Sequence, residues 1–372
     1  MMSAYITPIT TAAILFPFLA ALAVAPYALW QYRKYGSISK LKLLVVFSFC
    51  FYLLCAYFLI ILPLPDRNVV AHLTTPRYNL VPFTAARYFF KTTVLNITQP
   101  ATYLAALRQP GFIQPFFNLV LTIPFGLFLR YIWGVSLKKA VLASFCLSLF
   151  FELTQLSGLY FIYPRPYRLF DVDDLILNTS GGTLGYLIEP LFVKLFPTIE
   201  QLNQEAEKER NIASFWRRLL ALVIDLFIFN LIFQILGAVI KPLATQNYGI
   251  YLIGVFIYFV LVPMLAQGST LGKKLVKIKI VAVNEQPVGF GPLLVRQFLL
   301  YGVVFGNLDY FLPFVLKAFT AANGQHLAFY LTILALSGIF FVLCLLNALV
   351  LLLKKNSRMF YERLTKTREI GY

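Results

Sequence analysis

The sequence predicts an all-α fold, a polytopic membrane helix bundle of about nine transmembrane helices in two modules, with a small cytoplasmic β-hairpin in the second. Three observations carry this. Of the 372 residues, 60% are hydrophobic and 13% are charged, about half the charged share of a soluble domain. The apolar residues fall in runs of spanning length, joined by connections rich in Lys and Arg. One polar stretch of mixed charge, residues 197–214, then divides the chain.

Taken in order, Thr11 to Trp30 is the first predicted span and Leu43 to Pro63 the second. The connection between them carries Arg33, Lys34, Lys40 and Lys42. The excess of basic residues on inner loops puts it in the cytoplasm, the N-terminus outside and the C-terminus inside. Residues 64–114 form a long outer segment. Within it Pro76 to Phe90 interleaves aromatics with Arg77 and Arg87, which fits an amphipathic helix at the interface or a re-entrant segment over the bundle. Pro115 to Trp133 and Lys139 to Leu156 are the third and fourth spans, and Asp171 to Phe196 is the fifth. Residues 1–196 thus form one membrane domain, 197–214 a cytoplasmic linker and 215–372 a second membrane domain with about four spans. The sixth span runs from Trp216 to about Ile240. Tyr248 to Ala266, Gln297 to Phe319 and Ala328 to Leu353 complete the set. Between them, Leu275 to Val283 alternates Lys277 and Lys279 with Val and Ile, the pattern of a basic hairpin strand. Trp30, Trp133 and Trp216 fall at the predicted cytoplasmic boundaries, where indole rings are favoured.

The composition also limits function. A formal charge of +17 belongs to loops that face anionic lipid, and a nucleic-acid partner is not expected. The four cysteines, Cys50, Cys55, Cys146 and Cys344, lie in apolar runs without metal-ligand spacing. With only two histidines, His72 and His326, a His-rich zinc site and a Ser-His-Asp triad are improbable. No catalytic set and no cofactor is legible.

Two constellations of polar residues interrupt the apolar runs. In the first, Glu152 and Gln155 share a face of the fourth span, and Asp171, Asp174 and Asn178 share a face of the fifth. Asp171 is placed to cap its helix. Asn118 lies near the outer end of the third span, which also carries Pro124 and Gly126. Ionisable groups in hydrocarbon are costly and mark candidate functional sites. Two readings stand side by side. The acids are neutralised by Arg77, Arg87, Arg165 and Arg168 and fix helix packing, or they line an outward pocket. Such a pocket would bind an anionic ligand through arginine forks, or a divalent cation through Glu152, Asp171 and Asp174.

These residues resemble the VanZ-like family. Arg77-Tyr-Asn79-Leu-Val-Pro82, Asn118 with Pro124 and Gly126, Glu152 to Gln155, and Asp171 to Asn178 followed by Gly182 match its successive motifs over roughly the first half of the chain. The resemblance implies a Gram-positive envelope protein associated with resistance to a teicoplanin-type glycopeptide. The expected ligand is an anionic or lipid-linked envelope component, held by Arg77, Asn79, Asn118, Glu152, Gln155, Asp171, Asp174 and Asn178.

The second constellation is Arg218 and Asp225, two turns apart on one face of the sixth span. A lone buried Asp needs a partner, and Arg218, Lys273, Lys274 or Arg296 are the candidates. Residues 215–225, the Gly268 to Lys274 stretch and Arg296 resemble the RDD family. Its last aspartate is replaced here by Glu362 in Phe360-Tyr-Glu-Arg-Leu. The resemblance implies a transport-related role, such as cation–proton exchange at Arg218 and Asp225. A membrane hydrolase acting on lipid phosphates, and a scaffold docking partners on the basic hairpin, are further readings.

Overall fold

A computed structural model describes residues 2–239, 248–321, 326–354 and 357–372. The predicted end of the sixth span at Ile240 lies outside the described residues. Two compact units are present: residues 1–23 with 39–202, and residues 24–38 with 203–372. The unit boundary thus falls inside the polar 197–214 stretch, but residues 24–38 join the second unit, which no local feature of the sequence indicated.

The first helix, α1 (Met2–Tyr35), belongs to the first unit up to Ala23, and it is followed by α2 (Lys40–Ile61), which Ser39 caps by accepting from the Lys42 N–H. The segment after α2 contains the short amphipathic helix expected near Pro76–Phe90. It is an irregular run in which α3 (Thr84–Thr92) is the principal helix, with one polar and one apolar face. Then come α4 (Pro110–Trp133), α5 (Leu137–Leu156) and α6 (Val172–Val193). The α6 helix lies against α4 and α5. Gly126 and Gly185 are why α4 and α6 touch backbone to backbone. A Cβ at Gly126 would collide with the Gly182 carbonyl, and one at Gly185 with the Ile123 carbonyl. Beside them, two short strands, β1 (Tyr78–Asn79) and β2 (Phe170–Asp171), pair in parallel, with Asn79 opposite Asp171.

The unit boundary falls within α7 (Ile199–Lys208), which buries Leu202 and Ala206, and the second unit continues with α8 (Phe215–Val239). The further helices are α9 (Tyr248–Leu265), α10 (Phe290–Thr320) and α11 (Leu327–Leu353). Its core is aromatic: Phe229, Tyr251, Tyr258, Phe259 and Tyr301 pack together, with the Phe259 and Tyr301 rings stacked. Residues 256–261 of α9 and 298–305 of α10 are wound as π-turns. In the second of these stretches the Tyr301 carbonyl accepts from the Tyr251 hydroxyl at 2.9 Å. The predicted strand is present as β3 (Ile278–Ala282), but its partner corrects the hairpin. The turn after β3 makes a single bridge, Val281 to Pro287, whereas the ladder is antiparallel to the C-terminal β4 (Thr367–Gly371). A strand with one face buried pairs where its pattern is matched, and β4 alternates buried and half-buried positions in the same way.

Among the described residues, eight helices are long and apolar enough to cross a membrane. The chain is therefore an all-α, multi-pass membrane protein with only small strand pairs. The α6 helix is as long as these, but its acids, amide and glycines make it less apolar, and its polar face is turned to α4 and α5.

Candidate functional site

The acids of the first unit are held mainly by hydrogen bonds to amides and backbone N–H groups. Glu152, buried on α5, accepts from the Asp171 N–H at 2.9 Å. Asp171 accepts from the Asn79 side-chain amide at 3.0 Å and from the Asp173 N–H at 2.9 Å, so it does cap α6. Asn118 donates to Asp174 at 2.5 Å. One turn further in, Asn178 donates to Ser148, and its backbone carbonyl accepts from Thr122 at 2.6 Å. The structure therefore joins Asn79, Asn118, Glu152, Asp171, Asp174 and Asn178 through α4, α5, α6 and the β1–β2 pair.

Two predicted members stand apart. Gln155 donates to the Ile60 carbonyl. Arg77 is exposed, and its backbone carbonyl accepts from the Phe170 N–H, so its backbone supports the β1–β2 pair. Three of the arginines expected to neutralise the acids donate to backbone carbonyls. Arg165 donates to the Thr75 carbonyl, Arg168 to the Leu62 carbonyl at 2.6 Å, and Arg87 to the Pro82 carbonyl at 2.7 Å. These carbonyls belong to irregular backbone, which needs donors wherever it leaves water.

Asp173 is the residue the sequence pattern passed over. It lies off the face shared by Asp171, Asp174 and Asn178, so helical spacing set it aside. In the structure it is 4% exposed and reaches across to α3, accepting from the Phe83 N–H at 2.5 Å and the Ala85 N–H at 2.7 Å. Phe83 there has φ +62°, a conformation most L-residues avoid. The Asp173 carboxylate thus caps α3 from another helix and fixes where that helix sits.

Among the described residues, no group of three or more His, Cys, Asp or Glu side chains is arranged to hold a metal ion. The cation set Glu152, Asp171 and Asp174 is therefore not assembled: Asp171 and Asp174 turn to different amides, and Glu152 to a backbone N–H. The acid that reaches α3 is Asp173, which gives that helix a fixed seat. The polar face of α3, Thr84, Arg87, Tyr88 and Lys91, joins Asn79 around a pocket of about 420 Å³. Arg87 and Lys91 are one helical turn apart on this face, and the Arg87 guanidinium also donates to the Pro82 and Phe83 carbonyls at 2.7 and 3.3 Å. Lys91 makes no ion pair among the described residues. The opposite face of α3 borders an apolar groove of about 410 Å³ shared with α4 and α6. An Arg and a Lys at i, i+4 beside paired phenylalanines was the available sequence signal for this pair of surfaces.

In the second unit the structure separates Arg218 from Asp225. Asp225 is fully buried and accepts from the Tyr258 hydroxyl at 2.9 Å, the Thr270 hydroxyl at 2.5 Å and the Gly272 N–H at 2.7 Å. Its partners are neutral donors, and none of the four predicted cations pairs with it among the described residues. Arg218 instead meets Glu362 at 2.9 Å and Glu369 at 3.5 Å. Arg296 bridges the same two glutamates at 3.0 and 2.7 Å, and Lys273 reaches Glu369 at 3.0 Å. Glu369 escaped the sequence reading because it sits on β4, remote in the chain from every partner. Burial alone would raise its carboxyl, but Lys273, Arg296 and Arg218 overcome this and hold it at about 2. The neighbouring Arg217 is fully buried and donates to the carbonyls of Arg210, Ile212, Val276 and Lys277, clamping the start of α8 to the β3 region.

Residues 49–194 match the VanZ/LLP1 family and residues 212–366 match the RDD family. No curated protein and no solved structure matches the chain.

Proposed function

In a chain that joins a VanZ-like domain at residues 49–194 to an RDD domain at residues 212–366, we propose that the first domain binds an anionic, lipid-linked component of the cell envelope at its outer surface. The observation that carries this reading is the open pocket on α3, lined by Arg87 and Lys91 together with Asn79, Thr84 and Tyr88. Guanidinium and ammonium groups next to amide and hydroxyl donors suit phosphate or carboxylate. Buried Asp173 supports the same reading in a structural role. It holds α3 in place and leaves anion recognition to the two cations. The positive-inside rule supports an outward α3, with the N-terminus outside and the C-terminus in the cytoplasm. A protein that shields a lipid-linked wall precursor would alter susceptibility to a teicoplanin-type glycopeptide.

The test is a double substitution, Arg87→Ala with Lys91→Ala, in cells that depend on the protein for a glycopeptide phenotype. The expected result is the susceptibility of the null strain at an unchanged membrane level of the protein. Full resistance in the double variant would sink the proposal.

A further inference from the structure

One nine-residue helix, α3, divides the two surfaces. On one side lies the cationic pocket. On the other lies the groove lined by Phe83, Ala86, Phe89, Phe112, Phe116 and Leu119. The rings of Phe112 and Phe116 are stacked at 5.7 Å, and Phe89 lies 5.9 Å from Phe112, so the groove wall is a run of ring faces. From the α3 side, Ala85 and Ala86 line the groove between Phe83, Phe89 and Phe90. Asp173 borders the groove and caps α3, so the start of the helix between groove and pocket is held by a buried hydrogen-bonded carboxylate.

Resting on the reading above, we infer that the ligand is a single-chain lipid monophosphate that straddles α3. Its phosphate lies against Arg87 and Lys91, and its hydrocarbon chain lies in the phenyl-lined groove. Charge decides between lipid classes. A phosphate monoester carries about −1.5 to −2 at neutral pH, which matches the two cations of the pocket. A diacyl phospholipid presents a phosphodiester with a single negative charge, and it brings two chains to a groove of about 410 Å³. The groove walls supply the apolar contact that a free phosphate could not use.

The experiment uses the full chain in nanodiscs of zwitterionic phospholipid, with retained ligand read by native mass spectrometry. Three probes are compared: a polyprenyl monophosphate, phosphatidylglycerol and inorganic phosphate. The proposal expects the polyprenyl monophosphate to be retained at least about ten-fold better than phosphatidylglycerol. Ala86→Trp, which fills the groove from an exposed position, should weaken that retention about ten-fold and leave inorganic phosphate competition at the pocket unchanged. The smaller Ala86→Leu should give a partial loss, and thermal melting of both variants should match the parent. Equal retention of phosphatidylglycerol, or an Ala86→Trp variant that binds the polyprenyl monophosphate fully, would overturn the straddling ligand while leaving the cationic pocket standing. If Arg87→Ala with Lys91→Ala retains every probe as the parent does, the pocket reading itself fails.

Discussion

At the scale of single residues, both domains use buried carboxylates as structural centres, satisfied either by neutral donors or by cations. Asp173 accepts two backbone N–H groups, whereas Glu362 and Glu369 are met by guanidinium and ammonium groups. A hydrogen bond to a charged group contributes roughly 1.5–3 kcal/mol, and a buried donor left alone costs about 1–3. Asp173→Ala should therefore destabilise the α3 seat by a few kcal/mol, about the worth of one or two such bonds. Faster hydrogen exchange confined to residues 83–92 would report it, with α4 and α5 still protected. Unaltered exchange there would show that Asp173 does not anchor the helix. Glu369 gives a pH dependence whose sign follows from its lowered carboxyl. A group lowered on folding contributes stability that is complete above its unfolded value, near 4.3, and is lost as the pH falls toward about 2. The melting-temperature gap between the parent and Glu369→Gln should be full at neutral pH and close over that acidic window. At neutral pH the substitution leaves Arg218, Lys273 and Arg296 facing Glu362 alone, and breaking a buried pair this way costs roughly 3–5 kcal/mol.

At the scale of elements, the α4–α6 contact is the framework on which the first domain's polar residues meet. Backbone contact at Gly126 and Gly185 draws the helices close enough for Asn118 to reach Asp174 and Thr122 to reach the Asn178 carbonyl. Gly185→Val should force the pair apart and lower the yield of folded protein in membranes. Gly338→Ala, where an added methyl meets nothing within 4 Å, should be accepted. Fluorescence-detected gel filtration of the two variants makes the comparison. A monodisperse Gly185→Val protein with the parent's melting temperature would count against the close crossing. In the second domain the β3–β4 ladder does the corresponding work, since it delivers Glu369 to Lys273 and Arg296.

At the scale of the whole molecule, eight described spanning helices make the chain a multi-pass membrane protein, and its two family domains follow each other along the sequence. The proposed orientation makes a direct prediction. A cysteine placed at Lys91 should react with a membrane-impermeant maleimide added to intact cells, whereas one at Lys40 should react only after the membrane is opened. Background from Cys50, Cys55, Cys146 and Cys344, all free thiols in membrane helices, is removed by substituting them first. The reverse pattern would put α3 on the cytoplasmic side and end the envelope reading.

The sequence by itself determined the class of molecule, eight of the roughly nine expected spanning helices and both family domains. These depend on composition, on local apolar runs and on motifs whose residues are near neighbours in the chain. Asp171 as a helix cap was legible for the same reason, because its acceptor role involves its own helix. Tertiary structure alone decided which polar groups meet. Asp173 reaches back some 90 residues to the backbone around Phe83. Asp225 turns from Arg218 to Tyr258 and Thr270, and β3 pairs with the C-terminal strand rather than its neighbour. Periodicity shows which residues share a face of one helix. It holds no information on which distant donor will satisfy a buried acceptor, because that choice is made by packing, where every desolvated charge must find a partner at once.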